Sequence, residues 1–324
     1  MLKVGVIGVG QMGKHHATVY SELGVDLVAI SDVNELAGKE LASKFKCKYY
    51  NDYKQMLQNE KLDVISVAVP TSLHKKIALD CISAGINVLI EKPIASTVEE
   101  AQEIISAAKN KNVRIAVGHI ERFNPAVLKL KEILGEGKLG QIVSITARRV
   151  GLFPSQIKDA NVIIDLAVHD IDVINFLLNK TPKEILFSRA GLALNGMRED
   201  FADFVLNFDP ELATIQVNWI TPIKIRNLCV TGTKGYAELN YMTQELTLYE
   251  SNFEKTFDSF GEFMIKFSTS NTIQVPVEKA EPLKSEIKSF LDSIEKKQEC
   301  FVTAEDGLNA LEIALNVLAK AKNV

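Results

Sequence analysis

The chain has 324 residues, of which 47% are hydrophobic and 24% charged, and its formal net charge is −4. This is the composition of a soluble globular protein, and the length exceeds what one hydrophobic core usually supports, so two domains are expected. No cluster of Lys or Arg stands out from this near-balanced charge, which argues against nucleic acid as a partner.

The four cysteines and five histidines show no metal-ligand spacing. The cysteines lie far apart and form no C-x-x-C pair, as expected for reduced thiols in the cytoplasm. An apolar strand begins at residue 2, where a signal peptide would stand, and no apolar run is long enough to span a bilayer. The sequence therefore predicts a cytoplasmic protein with no metal site and no membrane partner.

Short apolar strands and amphipathic helices alternate through about the first 120 residues. The predicted strands are Lys3–Ile7, Leu27–Ser31, Val64–Val69, Val88–Glu91 and Arg114–Gly118. The predicted helices are Met12–Leu23, Glu35–Phe45, Leu73–Ala84 and Val98–Asn110. This alternation is typical of βαβ units, and it predicts an α/β domain with a doubly wound parallel sheet.

The second half of the chain is organised differently, with strands that follow one another directly. The predicted strands are Ile142–Val150, Lys183–Ala190, Phe201–Phe208, Thr214–Trp219, Ile225–Thr231, Tyr236–Leu239 and Glu245–Tyr249. The predicted helices are Pro125–Leu134, Val162–Leu178, Leu283–Lys296 and Ala304–Ala321. Consecutive strands without crossover helices predict a largely antiparallel open sheet in an α+β domain.

The first strand leads into KVGVIGVGQMGKHHA, where Gly8, Gly10 and Gly13 have G-x-G-x-x-G spacing. These glycines permit a tight turn, close approach of the main chain to a pyrophosphate, and close helix packing. Asp32 ends the second strand, where it is placed to bond ribose hydroxyls and repel a 2′-phosphate, so NAD is favoured over NADP. The alternative is a structural turn with a surface aspartate. The predicted cofactor-binding residues here are Gly8, Gly10, Gln11, Met12, Gly13 and Asp32.

A second candidate contact with the cofactor is AVPTSLHKK, which follows the predicted strand Val64–Val69. Pro70, Thr71 and His74 lie at the carboxyl end of the sheet, where ligands bind in open α/β folds. The alternatives are that the hydroxyl of Thr71 caps the next helix and that His74 is a surface residue.

The segment GINVLIEKPIAS places a lysine at the end of a buried strand. Pro93 restricts Lys92 to extended geometry, so the side chain of Lys92 has a direction set by the strand. Lys92 is thus either a charge at the rim or a catalytic group that also contacts the cofactor. Glu91 points to the opposite side of the strand, and it is predicted to contact the cofactor or support the strand edge.

The apolar helix VIIDLAVHDIDVINFLL carries a narrow polar stripe. Helical spacing places Asp165, His169 and Asp172 on one face, at i, i+4 and i+7. Buried carboxylates are costly unless they are paired or line a wet pocket, so the stripe suggests the wall of a site. The alternative is a solvent-facing stripe, or a core histidine satisfied by an aspartate.

These groups suit the oxidation of a secondary alcohol by NAD. The reaction needs a base for the hydroxyl proton and a positive group near the alkoxide. His169 oriented by a carboxylate can be the base, and Lys92 can supply the positive charge or act as the base itself. Lys92, His169 and Asp165 are therefore the predicted catalytic residues.

The chain resembles the Gfo/Idh/MocA oxidoreductases, which act mainly on sugars, inositols and related polyols. The resemblance is carried by VIGVGQMGKHH, SD at 31–32, VAVPTSLH, EKP at 91–93, DLAVH at 165–169 and AEDGLNALEIALNVL at 304–318. It implies a Rossmann domain over residues 1–121 and a substrate-binding α+β domain over 122–324, with the last helix packed back on the first domain. It also implies a homodimer or homotetramer formed through the second sheet.

Within this family, GHIERFNPAV at 118–127 is similar to the corresponding segment of UDP-N-acetylglucosamine 3-dehydrogenases. That resemblance implies that Arg122 and Asn124 border a nucleotide sugar, while Arg148, Arg149 or Lys158 meets its diphosphate through bidentate bonding. Asp165 and His169 also contact the substrate in this interpretation. The alternative is a structural salt bridge for Arg122 and a solvated strand for the arginine pair.

Two other functions remain open at this stage. A myo-inositol or free-hexose dehydrogenase of the same family needs no arginine for a diphosphate. A sugar-sensing regulator binds NAD without turnover, but such a protein has no physical need for the full set of Lys92, Asp165 and His169.

Overall fold

The computed structural model describes residues 1–154, 160–194, 196–251, 253–257, 260, 262–267 and 271–322. The chain forms two compact units. The first contains Met1–Phe123 and Glu281–Ile313, and the second contains Asn124–Ala280 and the chain from Ala314 onward. The chain thus leaves the first unit after Phe123 and returns to it near the C-terminus.

The first unit is built on a parallel sheet with the strand order β3-β2-β1-β4-β5-β6. Its strands are β1 (Lys3–Ile7), β2 (Asp26–Ser31), β3 (Lys48–Tyr50), β4 (Val64–Val67), β5 (Asn87–Ile90) and β6 (Ile115–Val117). Its helices are α1 (Gln11–Glu22), α2 (Glu35–Phe45), α3 (Tyr53–Asn59), α4 (His74–Ser83), α5 (Val98–Lys111), α8 (Pro282–Glu295) and the first part of α9 (Ala304–Lys322). The predicted doubly wound sheet is confirmed.

Local signals determine where its helices begin and end, as α5 shows. Thr97 accepts a hydrogen bond from the main-chain nitrogen of Glu100, and the acidic Glu99 and Glu100 lie in the first turn. The helix ends at Asn112, whose φ of 52° is left-handed. The N-cap and the acidic first turn stabilise the positive end of the helix, as the sequence indicates.

The core of this unit joins β1, β4 and α1 to the late helix α8. Leu283, Ile287 and Phe290 of α8 are buried against the same cluster as Val6 and Tyr20. About 160 residues of sequence separate α8 from the rest of this core, so only the apolar face of the helix indicates that it packs there.

Among the described residues, the second unit holds a mixed sheet with the order β16-β13-β12-β11-β7-β10-β9-β8. The strands are β7 (Ile142–Leu152), β8 (Glu184–Gly191), β9 (Phe201–Asn207), β10 (Leu212–Asn218), β11 (Ile220–Gly232), β12 (Gly235–Asn240), β13 (Glu245–Glu250) and β16 (Thr272–Val275). Strands β14 (Phe253–Phe257) and β15 (Phe263–Phe267) pair as a hairpin. Among the described strands of this unit only β7 and β10 pair in parallel, so the predicted, largely antiparallel sheet is confirmed.

Two helices of the second unit are α6 (Pro125–Gly135) and α7 (Val168–Leu178). Strand β7 alternates between buried and exposed residues over most of its length, which gives the sheet one face toward α7 and one exposed face. Across the described residues, no helix is long and apolar enough to cross a membrane.

Candidate active site

The glycine loop has the geometry that dinucleotide binding requires. Gly8 has φ of +90°, and a Cβ added to it would lie 2.3 Å from the carbonyl oxygen of Ala68. A Cβ on Gly13 would lie 1.8 Å from the oxygen of Gly8, so α1 packs directly on the loop. A Cβ added to Gly10 would meet nothing within 4 Å, so there is open space for a phosphate beside this residue.

The start of α1 is also suited to an anion. Gly10 occupies the N-cap, no side chain caps the helix, and its first turn has no acidic residue. The first main-chain N–H groups, at the positive end of the helix dipole, are therefore available to bind a ligand. The exposed Gln11 and half-buried Met12 lie in this turn. The loop thus fits a pyrophosphate, and when NAD is bound Gly8–Gly13 would hold it there.

Asp32 lies beside this loop at the carboxyl end of β2. Its Oδ2 accepts a 2.6 Å hydrogen bond from the nitrogen of Val9, and its Oδ1 accepts one of 2.7 Å from Asn34. The carboxylate is therefore held at the mouth of the loop, half-buried, with a fixed negative charge near the place predicted for the ribose.

We expect Asp32→Asn to weaken NAD binding by about tenfold to a hundredfold, the cost of one charged hydrogen bond of about 1.5–3 kcal/mol. NADP binding should improve relative to NAD, because the carboxylate no longer repels the 2′-phosphate. Titration calorimetry with both nucleotides measures this ratio. Glu35→Gln, which removes an exposed charge paired with Lys39, is the matched control. An unchanged NAD-to-NADP ratio in Asp32→Asn would exclude the ribose contact.

The loop after β4 has a different role from the one predicted for its histidine. Pro70 is exposed and Thr71 half-buried, and they begin a short 3-10 turn, Thr71–Leu73. Leu73 occupies the N-cap of α4, so neither Thr71 nor Ser72 caps that helix. His74 is buried, and its Nδ1 and Nε2 lie 2.8 and 2.9 Å from the oxygens of Pro93 and Val69. His74 is thus not a surface residue, and its ring joins two loops, while its contact with the cofactor stays a prediction.

Lys92 follows β5 at the same sheet edge as the glycine loop and Asp32. It is half-buried, and the Lys92–Pro93 peptide bond is cis. Glu91 before it is buried on the opposite side, where its Oε1 lies 2.8 Å from Nε2 of His16. Glu91 therefore faces the interior of the first unit, which agrees with the predicted support of the strand edge, and its contact with the cofactor stays a prediction.

The pKa of Glu91 is lowered although the carboxyl group is buried. Burial by itself raises this pKa, but the hydrogen bond and charge of His16, followed by the charges of Lys92 and His74, outweigh it. Glu91 is therefore a carboxylate at neutral pH, and its charge stays inside the domain beside Lys92.

In the second unit, Asp165 lies in a π-helical turn, Ile163–Ala167, that runs directly into α7. Asp165 and His169 are half-buried, whereas Asp172 is buried. Of the three residues in the predicted stripe, Asp165 and His169 are therefore the partly exposed ones, and the wider π turn changes the angular position of Asp165 relative to α7. Single π turns inside helices are frequent at functional sites.

The two predicted diphosphate-binding arginines lie on opposite faces of the sheet. Arg149 is 1% exposed and forms a bidentate pair with Asp170 of α7, through Nε at 2.7 Å and Nη2 at 3.1 Å. Its guanidinium also lies 4.8 Å from the ring centroid of Tyr241. Arg148 is exposed on the other face, away from α7. Successive strand residues alternate, so the two cannot face one ligand, and Arg149 is reassigned to the interior.

The remaining substrate residues predicted from the sequence are also engaged within their units. Arg122 is buried in the first unit, with its Nη2 3.0 Å from Oδ1 of Asp306. Burial raises the pKa of Asp306, but the bond and charge of Arg122, then Thr303, lower it overall. Asn124 is buried in the second unit, where it caps α6 and donates a 3.0 Å bond to the oxygen of Tyr241. Lys158 lies outside the described residues.

Sequence reasoning assigned no role to His16. From the buried face of α1, its ring forms hydrogen bonds with Glu91 and Ser66. Tyr20 also bonds Ser66. The signal was available, because His16 lies at helical spacing from Gly13 and Tyr20 on the buried face of α1. Within the described chain, no group of three or more His, Cys, Asp or Glu side chains is arranged to hold a metal ion.

Comparison with known proteins gives two family matches. Residues 2–119 match an oxidoreductase family with an NAD-binding Rossmann fold, and residues 127–238 match the GFO/IDH/MocA C-terminal domain. Together the two models cover the glycine loop, Lys92 and the Asp165–His169 turn.

Individual relatives agree with these matches. UDP-N-acetylglucosamine 3-dehydrogenase of Acidithiobacillus ferrooxidans is 26% identical and covers 98% of this chain and 96% of its own length. Its solved structure matches with a TM-score of 0.85 at 25% identity, over 99% of this chain and 98% of that one. Inositol 2-dehydrogenase of Salmonella typhimurium is 27% identical and covers 74% of each chain.

Proposed function

The chain belongs to the Gfo/Idh/MocA family of NAD-dependent oxidoreductases that act on sugars and polyols, and from this we propose that it oxidises C3 of UDP-N-acetylglucosamine. The product is the 3-keto nucleotide sugar. A relative with this named activity aligns over nearly the full length of both chains, which supports the choice of substrate.

The observation that carries the reaction type is the arrangement at one edge of the parallel sheet. The glycine loop follows β1, Asp32 ends β2 and Lys92 follows β5. The carboxyl ends of parallel strands lie at the same edge, which is where dinucleotides bind in this fold. The half-buried Lys92 at this edge supports the proposal that it acts beside a nicotinamide.

Bound NAD supplies the acceptor for the hydride that leaves the carbinol carbon. The hydroxyl proton must go to a base as the C=O bond forms, and we propose that Lys92 and His169 share the tasks of base and positive partner. Asp165, four residues before His169, is the proposed group that orients or charges the imidazole. The group that acts as base takes the proton in its neutral form, and the other group carries the positive charge.

A second candidate is oxidation of a free polyol such as myo-inositol, and the placement of the arginines favours it. Arg149 is paired inside the second unit and Arg148 lies on the face of the sheet away from α7. Neither therefore supports the diphosphate part of the nucleotide-sugar proposal, which rests on the full-length relative alone. An inositol dehydrogenase is also among the relatives.

We expect NADH to form with UDP-N-acetylglucosamine and NAD in the presence of a carbonyl-trapping reagent, which is needed because alcohol oxidation is unfavourable near neutral pH. The kcat/KM for the nucleotide sugar should exceed those for myo-inositol and glucose by about 10²-fold or more, since a pocket built to bond polar groups discriminates strongly. Absorbance at the NADH band measures all three, with Lys92→Met protein as the control for contaminating activity.

Each outcome of this assay tests a different part of the proposal. A preference for myo-inositol would retain the reaction and replace the nucleotide sugar. NADPH formation in preference to NADH would contradict the cofactor. Tight NAD binding with no turnover of any of the three substrates would remove both candidates.

A further inference from the structure

The buried Glu91 is hydrogen-bonded to a histidine on α1. Nε2 of His16 lies 2.8 Å from Oε1 of Glu91, and the ring of His16 is 0% exposed. An ionised carboxylate can only accept, so the hydrogen of this bond is on Nε2. The residue immediately before Lys92 is therefore fixed by a charge-assisted bond inside the domain.

The other side of the His16 ring is fixed as well. Nδ1 lies 2.9 Å from Oγ of Ser66 on β4, and this hydroxyl lies 2.7 Å from the phenol oxygen of Tyr20. Tyr20 is fully buried, and burial raises its pKa, with Ser66 opposing the effect. The bonded chain thus ends at a buried phenol, and its bonds orient the ring of His16.

The residue after Lys92 is held by a second histidine, from α4. Nδ1 of His74 lies 2.8 Å from the carbonyl oxygen of Pro93, and Nε2 lies 2.9 Å from that of Val69. Carbonyl oxygens only accept, so both bonds are made together when both ring nitrogens carry hydrogen. His74 is 1% exposed, and it links the peptide after Lys92 to the end of the β4 segment.

We propose that His16 and His74 are positioning residues for Lys92, because they fix the residues on either side of it from two different helices. This inference rests on the proposed catalytic role of Lys92. The direction of the Lys92 side chain depends on the main chain at 91–93, and a displacement of about 1 Å can cost about 10²-fold in rate. Two rigid bonds to helices of the same unit prevent such a displacement.

Substitution of each histidine by asparagine or glutamine distinguishes a role in positioning Lys92 from a role in packing alone. The amide nitrogen of Asn stands near the place of Nδ1 in histidine, and that of Gln stands near Nε2. At position 16 the bond to Glu91 uses Nε2, so His16→Gln retains it and His16→Asn loses it. At position 74 the bond to Pro93 uses Nδ1, so His74→Asn retains it and His74→Gln loses it.

The expected ranking of the two amides is therefore opposite at the two sites. His16→Asn and His74→Gln should lower kcat by about 10²-fold, with KM for the sugar and the calorimetric Kd for NAD near wild type. His16→Gln and His74→Asn should retain most of kcat. A role in packing alone would favour the same amide at both positions, or would change stability without this reversal.

A second readout does not depend on turnover. Brief acetylation followed by mass spectrometry gives the labelling rate of Lys92 relative to that of the exposed Lys14. Lys92 should label faster in His16→Asn and His74→Gln, because its main chain is released, and at the wild-type rate in the two retaining variants. Thermal unfolding confirms that each variant is folded, and Tyr53→Phe, which loses a 2.7 Å bond to Asp80 in the same unit, is the control.

The inference would be overturned if the Asn and Gln variants ranked in the same order at positions 16 and 74, both in kcat and in the labelling rate of Lys92. If the protein turns over none of the tested sugars, the labelling ranking still decides it, so failure of the proposed function is distinguishable from failure of the positioning role. If a loss variant does not fold, the pair at the other histidine supplies the same test, and equal labelling within that pair would overturn the proposal.

Discussion

Lys92→Met is expected to lower kcat by about 10²–10⁴-fold, the usual contribution of a positioned acid–base group. NAD affinity should remain near wild type, because the proposed phosphate-binding groups belong to the glycine loop and the start of α1. Lys92 lies in neither segment. Methionine keeps the unbranched apolar stem of lysine and removes only the charge and the proton-carrying nitrogen. The half-buried site around Lys92 is thus preserved while its chemistry is lost.

The measurement pairs steady-state kinetics with calorimetric NAD binding. Lys111→Met is the matched control, because it removes an exposed lysine at the C-terminal end of α5. Equal kcat for wild type and Lys92→Met would remove Lys92 from the chemistry. Loss of NAD affinity together with kcat would instead make it a cofactor-binding residue.

Lys92→Arg separates the two tasks that a lysine can perform here. Arginine keeps the positive charge but does not lose its proton in proteins. Retention of most of kcat would therefore assign the positive field to Lys92 and the base to His169. A loss as large as that of Lys92→Met would assign the base to Lys92.

The cofactor half of the site could be predicted because its determinants are local. Gly8, Gly10 and Gly13 act within one strand, turn and helix, and Asp32 ends the next strand. In the parallel sheet and its helices, the sequence does not predict strand β3 and helix α3, which have three and seven residues. Both are too short to show a periodicity that distinguishes them from a loop.

The substrate half could not be predicted to the same depth. Arg148 and Arg149 are adjacent in sequence and differ only in the face of β7 that they occupy. That face is decided by the pairing of β7 with β10 and β11 and by the seating of α7, which are contacts between distant segments. The position of Asp165 relative to His169 likewise depends on a π turn that regular helical spacing does not anticipate.

The histidines that flank Lys92 illustrate a third case. The sequence predicts a cofactor contact for His74 from its place at the carboxyl end of the sheet, with a surface position as the alternative, yet the ring turns inward to two main-chain oxygens. A polar side chain on the buried side of a helix requires a partner. The sequence shows that a partner is needed, but the partner itself, Val69 or Pro93, appears only when the strands are assembled.

Arg149→Met is expected to lower the free energy of unfolding of the second unit by about 3–5 kcal/mol, because it leaves the buried carboxyl group of Asp170 without its partner. The double variant Arg149→Met/Asp170→Asn should be more stable than the single one, since no buried charge is then stranded. The chain has one tryptophan, Trp219, which is 4% exposed in the second unit. Its fluorescence during urea unfolding therefore reports this unit.

The matched control is Lys180→Met, which removes a surface pair with Glu211 in the same unit and should cost no more than about 1 kcal/mol. If Arg149→Met costs as little as this control, the pair with Asp170 is not an anchor, and Arg149 is available to a ligand. The diphosphate assignment would then regain its arginine. A large cost, relieved in the double variant, means that Arg149 is committed to holding α7, the helix that carries His169. The recognition of any nucleotide sugar must then come from other side chains.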